Sequence, residues 1–190
     1  MTKITADAVV LAAGRGTRFG GMLPKQYLAL GDRTVVARSI DAFLSHPAIR
    51  RVCVAIGSGD ETTFASAVGA RSDRVLTVVG GDTRQASVQA ALSGLAADAP
   101  ERVLIHDGAR PFVSEGLISR VIDALDTSKA VIPAVPVADT IKRVEDGAII
   151  ETVPRQGLQL AQTPQGFHFA ALREAHRAAR SVATDEAGGM

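Results

Sequence analysis

The stretch Ala8-Val-Val-Leu-Ala12, followed by Ala13-Gly-Arg-Gly-Thr-Arg18, is the part of the sequence that decides the predicted fold. Its first half is a short apolar run with β-branched residues, which is typical of a buried strand. Its second half is rich in glycine and arginine and follows that run directly. In open parallel sheets, ligands bind beyond the carboxyl ends of the strands, so this loop is where we look first for chemistry.

Apolar runs of the same kind recur along the chain, and segments with helical spacing lie between them. We predict further strands at residues 52–56, 75–79, 103–105 and 130–135, and helices at residues 35–44, 86–96 and 117–125. Because strand and helix alternate, the sequence predicts an α/β sandwich with a mostly parallel sheet.

A different rhythm appears at residues 137–159, where apolar and polar positions alternate and Glu145-Asp-Gly147 supplies a tight turn. This pattern predicts a β-hairpin inserted into the domain. A hairpin alone is only marginally stable, so we expect its apolar face to pack on a second subunit. The chain is therefore predicted to form one domain over residues 1–190, with residues 137–159 as a dimerisation arm.

Composition limits the classes of function. The 190 residues are 46% hydrophobic and 22% charged, which is enough to bury a core. The net charge of +1 gives no global attraction for nucleic acid or an anionic membrane, so any anion must be bound locally. No apolar stretch approaches the roughly 20 residues that span a bilayer, and no signal peptide is recognisable. We expect a soluble, cytoplasmic protein with no membrane and no nucleic-acid partner, in which the single Cys53 is a buried thiol.

The first loop predicts a polyphosphate site. The small residues Ala12, Ala13 and Gly14 allow backbone N–H groups to approach a phosphate, and cationic side chains follow at Arg15, Arg18 and Lys25. Two familiar nucleotide motifs do not fit. The dinucleotide pattern fails because Phe19 stands at its third glycine, and the Walker pattern fails because Met22 replaces its lysine.

Two later loops add charge after predicted strands. In Gly80-Gly-Asp-Thr-Arg84, either Asp82 or Thr83 is placed to begin the next helix, so this loop could be a capped helix start and nothing more. In His106-Asp-Gly-Ala-Arg110, the acid can hold a divalent cation and the arginine can grip a phosphate. His106 is expected to be a hydrogen-bonded structural residue. Thr184-Asp-Glu-Ala187 has the form of an ordinary helix start.

Together these motifs resemble the 2-C-methyl-D-erythritol 4-phosphate cytidylyltransferase family, and the resemblance covers essentially the whole chain. The family has a Rossmann-like nucleotidyltransferase domain and a β-arm that embraces a partner subunit. Eight motifs occur in the family's order: Leu11-Ala-Ala-Gly-x-Gly-x-Arg18, Pro24-Lys-Gln-Tyr27, Gly80-Gly-Asp-x-Arg84, His106-Asp-x-Ala-Arg-Pro111, Asp139-Thr-x-Lys142, Arg155, Thr163-Pro-Gln165 and Thr184-Asp-Glu-Ala187.

The resemblance implies a role for each matching residue. The residues that match the family's CTP contacts are Ala12, Ala13, Gly14, Gly81, Asp82 and Ser87. Those that match its catalytic residues are Arg18, Lys25 and Arg155, and those that match its contacts to the sugar-alcohol phosphate are Asp107, Arg110, Thr140, Thr163 and Thr184. Asp107 also matches the carboxylate associated with Mg2+. In the family, the arm residues serve the neighbouring subunit's site, which implies a homodimer.

The implied reaction transfers CMP from CTP to 2-C-methyl-D-erythritol 4-phosphate and releases pyrophosphate, in non-mevalonate isoprenoid biosynthesis. The family continues beyond the position of Met190 into a strand and a helix, and that strand supplies a further catalytic lysine. We therefore expect the sequence to be a fragment of a longer chain. The family includes bifunctional forms that are fused to a downstream cyclodiphosphate synthase. Gly108 stands where the family often has alanine, a difference that removes only a methyl group.

Three alternatives stay open at this point. A ribitol-phosphate cytidylyltransferase has similar loops and differs in the acceptor substrate. A binding module could hold CTP without turnover. A dinucleotide-dependent oxidoreductase is disfavoured by the incomplete glycine pattern.

Overall fold

The computed structural model describes residues 5–15 and 23–179. The helices are α1 (Val35–Leu44), α2 (Glu61–Val68), α3 (Arg84–Leu95), α4 (Glu115–Ala124) and α5 (Phe169–Ala178). The strands, numbered in chain order, are β1 (Ala6–Ala12), β2 (Ala29–Leu30), β3 (Arg33–Thr34), β4 (Ile49–Ile56), β5 (Leu76–Val79), β6 (Arg102–Asp107), β7 (Ala130–Val131), β8 (Ala134–Pro136), β9 (Ile141–Glu145), β10 (Ala148–Val153), β11 (Gln159–Ala161) and β12 (Gln165–His168). Short 3-10 turns lie at Lys25–Tyr27, Gly69–Arg74 and Ala96–Asp98.

Six strands form the central sheet, in the order β5-β4-β1-β6-β12-β7. The pairs β5 with β4, β4 with β1 and β1 with β6 are parallel, and β12 runs antiparallel to both of its neighbours. The predicted fold class is confirmed: the chain is a mixed α/β structure around a mostly parallel sheet.

The core lies on both faces of this sheet, because successive side chains of a strand point to opposite sides. In β1, Val10 joins a cluster that includes Ile40 and Phe43 of α1, while Val9 joins a second cluster that includes Leu92 of α3. All of these side chains are at most 2% exposed. Cys53 belongs to the second cluster and is fully buried, as predicted, and this burial raises the pKa of its thiol to about 12.

Residues 130–135 do not form the single strand that the apolar run predicts. β7 pairs with β12 in the central sheet, whereas β8 pairs with β11 in a separate two-stranded sheet. Pro133 lies between them, and proline has no N–H to donate to a ladder. The chain therefore leaves the central sheet at this residue and continues through β8 to the arm.

Strand β12 and helices α2 and α5 have no counterpart in the sequence-based prediction. β12 has only four residues, Gln165-Gly-Phe-His168, and the peptide bond before Pro164 is cis. Its fully buried Phe167 packs in the cluster of Leu92. A strand so short carries too few alternating positions to be recognised from its pattern alone.

The predicted hairpin is present as β9 and β10. Asp146 and Gly147 connect the strands with φ values of 49° and 80°, the positive pair that a two-residue type I′ turn requires. At its base, β8 and β11 form a second antiparallel pair. Many of the arm's apolar side chains are exposed, among them Val144 at 54% and Ile149 at 65%.

Within residues 5–15 and 23–179, no helix has both the length and the apolar composition that crossing a membrane requires.

Candidate active site

The sheet changes its direction of winding between β1 and β6. From β1 the chain runs outward to β4 and β5 on one side, and then returns to β6 on the other side of β1. At such a switch point the loops after the two central strands part, which opens a crevice beyond their carboxyl ends. The loops that carry Ala12–Gly14 and Asp107–Arg110 border this crevice.

Gln26 folds the first loop back on the end of β1. Its side-chain amide donates hydrogen bonds to the carbonyl oxygens of Ala12 at 2.7 Å and of Gly14 at 2.8 Å. Gly14 is exposed, and an added Cβ there would have no atom of another described residue within 4 Å. As far as residues 5–15 and 23–179 are concerned, the space beside Gly14 is therefore open to a ligand.

Lys25 stands at the start of the 3-10 turn that follows this loop, with Pro24 before it. Its side chain is exposed and makes no hydrogen bond or ion pair with another described residue, while the next residues, Gln26 and Tyr27, are buried. The backbone at Lys25 is thus anchored and its ammonium group faces solvent. Arg18, the other predicted catalytic cation of this loop, lies outside the described residues.

The second loop lies against the first. A Cβ added at Gly80 would come within 2.7 Å of the Ala13 Cβ, so the two loops touch there. The Thr83 hydroxyl accepts a hydrogen bond from the Ala86 N–H at 3.0 Å, so Thr83 and not Asp82 is the residue that caps the start of α3. The Ser87 hydroxyl is buried and bonds to the backbone of this loop, and Asp82 is exposed.

Asp107, at the end of β6, lies between two arginines. Its Oδ1 accepts from Nε of Arg84 at 3.3 Å, and its Oδ2 accepts from Nε of Arg110 at 3.0 Å. Nη2 of Arg84 donates to the side-chain oxygen of Gln165 at 3.2 Å, and Nη1 of Arg110 donates to the side-chain oxygen of Gln162 at 2.7 Å. One carboxylate therefore aligns two guanidinium groups, one from the start of α3 and one from the loop after β6, and the cluster keeps a net positive charge.

His106 is a structural residue, as predicted. It is 1% exposed, and its Nε2 lies 2.9 Å from the carbonyl oxygen of Arg110. A carbonyl only accepts, so Nε2 carries the ring hydrogen, and Nδ1 accepts from the Thr163 hydroxyl at 3.0 Å. The single hydroxyl hydrogen of Thr163 is thus used inside the protein, and its oxygen also accepts from the Asp107 N–H at 3.5 Å.

His106 is expected to make the protein less stable in acid. Burial is the main cause that lowers its pKa to about 4, whereas an unfolded histidine has a pKa of about 6.5. Between these values the unfolded chain binds a proton that the folded chain excludes, so the free energy of unfolding falls as the pH falls. The expected contribution is about 2 kcal/mol between about pH 7 and about pH 5.

Urea unfolding of the wild type and of His106→Gln at both pH values checks this expectation. Glutamine does not titrate, and the carboxylates that also respond to acid are common to both proteins. The wild type should therefore lose more stability than the variant, and equal losses would contradict the role given to His106.

Gly108 is more constrained than its sequence position indicates. An added Cβ would lie 2.8 Å from the carbonyl oxygen of Leu11, a backbone atom that already accepts from the Gly108 N–H. Gly108→Ala would therefore do more than add a methyl group, because β1 and the loop after β6 would have to move apart to make room for it.

The remaining predicted substrate residues are not gathered with these loops. Thr140 and Arg155 are exposed in the arm, and Arg155 donates a hydrogen bond to the carbonyl oxygen of Ala138. Neither hydrogen bonds with the strand-end loops among the residues that the structure describes. Thr184 lies outside the described residues.

The site residues predicted from sequence do not include Arg84, Gln26, Gln162 and Gln165. All four stand inside or beside the motifs that carry the family resemblance, which is the signal that could have found them. Their roles depend on contacts between distant parts of the chain, such as the 81 residues that separate Arg84 from Gln165.

A separate cavity of about 530 Å³ lies beside α1, where its lining includes Arg33, Arg38 and Phe112. Arg33 and Arg38, two of its three arginines, are already paired with the carboxylates of Asp41 and Asp32, and none of the site residues predicted from sequence lines it. We therefore place the candidate site at the strand ends and not in this cavity.

Comparison with known proteins points to one family. A family model described as 2-C-methyl-D-erythritol 4-phosphate cytidylyltransferase matches residues 6–189. The bifunctional enzyme IspD/IspF of Nitrobacter winogradskyi is 48% identical over 180 residues, which are 94% of this chain and 45% of that enzyme. The 2-C-methyl-D-erythritol 4-phosphate cytidylyltransferase of Cereibacter sphaeroides is 45% identical over 183 residues, which are 96% of this chain and 81% of that enzyme.

The fold is similar to that of a solved relative. The crystal structure of the cytidylyltransferase of this description from Thermus thermophilus matches with a TM-score of 0.78 and 38% identity, and the match covers 95% of this chain and 81% of that chain. The present chain spans less than half the length of the bifunctional relatives that it matches.

Proposed function

Since the chain belongs to the 2-C-methyl-D-erythritol 4-phosphate cytidylyltransferase family, we propose that it transfers a cytidylyl group from CTP to 2-C-methyl-D-erythritol 4-phosphate and releases pyrophosphate. The observation that carries this proposal is the meeting of three loops at the switch point of the sheet. Ala13 touches the Gly80 loop, and Asp107 joins the Arg84 loop to Arg110.

Both reactants are anions, so charge neutralisation and alignment are the main demands on the protein. A phosphate monoester carries a charge of about −1.5 to −2 near neutral pH, so the attacking oxygen needs no general base. Its attack on the α-phosphorus of CTP forms a P–O bond as the bond to pyrophosphate breaks. Lys25 in the first loop suits the charge that gathers on pyrophosphate, and Arg110 suits the incoming phosphate.

The CTP side of the site is assigned to the first two loops. We propose that Ala12, Ala13 and Gly14 bind the nucleotide from one loop, and that Gly81, Asp82 and Ser87 bind it from the other. The open space beside Gly14 supports this assignment, since a backbone without a side chain allows close approach. In this arrangement Ser87 acts through the backbone that its buried hydroxyl supports.

We further propose that the reaction uses Mg2+, which would neutralise charge on the nucleotide phosphates when bound. Among the described residues, no three His, Cys, Asp or Glu side chains form a metal-binding group. Mg2+ is often held by one or two carboxylates together with substrate phosphates and water, so Asp107 alone fits this role. Each of its oxygens accepts one arginine hydrogen bond and keeps a second lone pair.

Asp107→Asn is expected to lower kcat/KM about 10- to 100-fold, because Arg84 and Arg110 lose the carboxylate that aligns them. If Asp107 also holds Mg2+, the variant should need a higher Mg2+ concentration than the wild type to reach half of its maximal rate. Asp123→Asn makes the same chemical change on the exposed surface of α4 and serves as the control. Full activity of the wild type in excess chelator would contradict the metal dependence, and normal kinetics of Asp107→Asn would contradict both roles of Asp107.

The arm supports a homodimer as the working form. Val144 and Ile149 are cross-strand partners and share one face of the hairpin, where both are more than half exposed. Ile150 and Leu158 of the same arm are 52% and 40% exposed, and Leu160 of β11 at its base is 50% exposed. A symmetric exchange of arms between two copies would cover this surface twice, and would carry Thr140 and Arg155 towards the neighbour's site.

The direct test is release of pyrophosphate from CTP that depends on 2-C-methyl-D-erythritol 4-phosphate. Ribitol phosphate, offered in place of that acceptor, distinguishes the related cytidylyltransferase. If CTP binds by calorimetry and no pyrophosphate is released with either acceptor, the chain is a CTP-binding module and the proposed function is wrong.

A further inference from the structure

We propose that Gln26 is a positioning residue, which fixes the phosphate-binding backbone of the first loop and the origin of the Lys25 side chain in one arrangement. This inference rests on the proposed function. Gln26 is 3% exposed, and its Nε2 donates to the carbonyl oxygens of Ala12 and Gly14 at 2.7 and 2.8 Å. A side-chain amide nitrogen carries two hydrogens, so both are used on this loop.

The two hydrogen bonds determine where neighbouring N–H groups point. In a planar trans peptide, the C=O of one residue and the N–H of the next point in opposite directions. Because the carbonyls of Ala12 and Gly14 face Gln26, the N–H groups of Ala13 and Arg15 are directed away from it, towards one common side. Two N–H groups of one loop that are turned to the same side can both donate to phosphate oxygens.

The same residue anchors Lys25, which precedes it in the chain. Gln26 and Tyr27 are both 3% exposed, and the Tyr27 hydroxyl donates to Asp60 at 3.3 Å. The backbone on the carboxyl side of Lys25 is therefore held by buried contacts, while its side chain is exposed. One buried amide thus sets the position of the Lys25 backbone relative to the Ala13 and Arg15 N–H groups.

Such a tie matters for catalysis because donors that are already in place need no rearrangement as charge develops. Loss of the tie should therefore lower turnover through Lys25 and the loop, even in a protein that remains folded. A residue that serves folding alone would change stability and leave the kinetics of the folded fraction unchanged.

Gln26→Glu keeps the shape of the side chain and replaces the donating amide by a carboxylate that faces two carbonyl oxygens. Gln26→Met removes the donor without adding charge. Each variant is expected to lower kcat/KM for CTP about 10- to 100-fold. Gln89→Glu, at an exposed position of α3, makes the same chemical change and is expected to stay within about 2-fold of the wild type.

The pH profile separates positioning from folding. In Gln26→Glu, burial beside two carbonyl oxygens raises the pKa of the new carboxyl group. Its protonated form can again donate one hydrogen bond to the loop. Relative to the wild type, Gln26→Glu should thus recover activity as the pH falls from about 8 to about 6, while Gln26→Met should not. Should Gln26→Glu not fold at the assay temperature, Gln26→Met carries the kinetic comparison alone.

A double-mutant cycle with Lys25→Ala gives a second readout. If Gln26 acts through Lys25, Gln26→Met should cost much less in the Lys25→Ala background than in the wild type. A third readout uses the wild type alone. In NMR spectra, binding of CTP should shift the backbone amide resonances of Ala13 and Arg15.

The outcomes distinguish this inference from the function on which it rests. A wild type without pyrophosphate release overturns the proposed function. A wild type that is active, with folded Gln26 variants within about 2-fold of it, overturns the inference alone. The inference is also overturned if CTP binds by calorimetry and the amide resonances of Ala13 and Arg15 do not shift. It is overturned as well if the effects of Gln26→Met and Lys25→Ala on kcat/KM are fully additive.

Discussion

Lys25→Ala is expected to lower kcat about 100-fold or more, because charge shifts onto the leaving pyrophosphate in the transition state. Contacts of this kind typically contribute about 2.7 to 4 kcal/mol, which corresponds to that loss of rate. The structure is suited to this role, since the Lys25 side chain is exposed on a backbone that buried neighbours anchor. Steady-state kinetics with both substrates varied would measure the effect.

Lys129→Ala is the matched control, because it removes an exposed lysine before β7, on a part of the chain remote from the first loop in sequence. It should leave kcat and both Michaelis constants near their wild-type values. If Lys25→Ala kept a normal kcat and raised only the Michaelis constant for CTP, Lys25 would bind the ground state and the transition state equally, and its catalytic role would be wrong.

An equal mixture of Lys25→Ala and Arg155→Ala chains, reassociated into dimers, is expected to recover about a quarter of the wild-type activity, although each parent is nearly inactive. Random pairing makes half of the dimers mixed. In each mixed dimer one of the two sites combines native Lys25 with native Arg155, if Arg155 completes the site of the partner subunit. The exposed position of Arg155 in the arm leads to this expectation.

The experiment requires that the two chains be unfolded or diluted, mixed and reassociated before assay. Reassociation of each parent with itself is the control for damage during this treatment. Purified mixed dimers with no activity above either parent would contradict a shared site. A fully active monomer by light scattering would contradict the dimer itself.

Those parts of the fold that repeat a strong local pattern could be predicted from sequence. Helix α1 has the predicted bounds, and the turn at Asp146 and Gly147 follows from the conformations that a two-residue hairpin loop demands. Strand β12 could not be predicted, because its place in the sheet is set by Phe167 in the core and by pairing with β6, and neither is visible in four residues.

The candidate site divides in the same way. Glycines and cations after strands indicate the loops of Gly14, Gly80 and Asp107, because the carboxyl ends of parallel strands share one edge. The partners of those cations could not be predicted. The position of Asp107 predicts a metal ligand and a phosphate-side residue, whereas its two arginine contacts depend on the side-chain conformations that packing selects.

The place of β1 in the middle of the sheet has a consequence for how the protein folds. β1 pairs with β4 about 43 residues away and with β6 about 96 residues away, as in Ala6 with Ile49 and with Arg102. Closing long loops slows folding, because their entropy is lost before the contacts form. During synthesis, β1, β4 and β5 can pair before β6 emerges from the ribosome, whereas Asp107 meets Arg84 only after β6 has added to the other edge. The order of the strands along the chain therefore allows half of the sheet to pair before the crevice at the ends of β1 and β6 is complete.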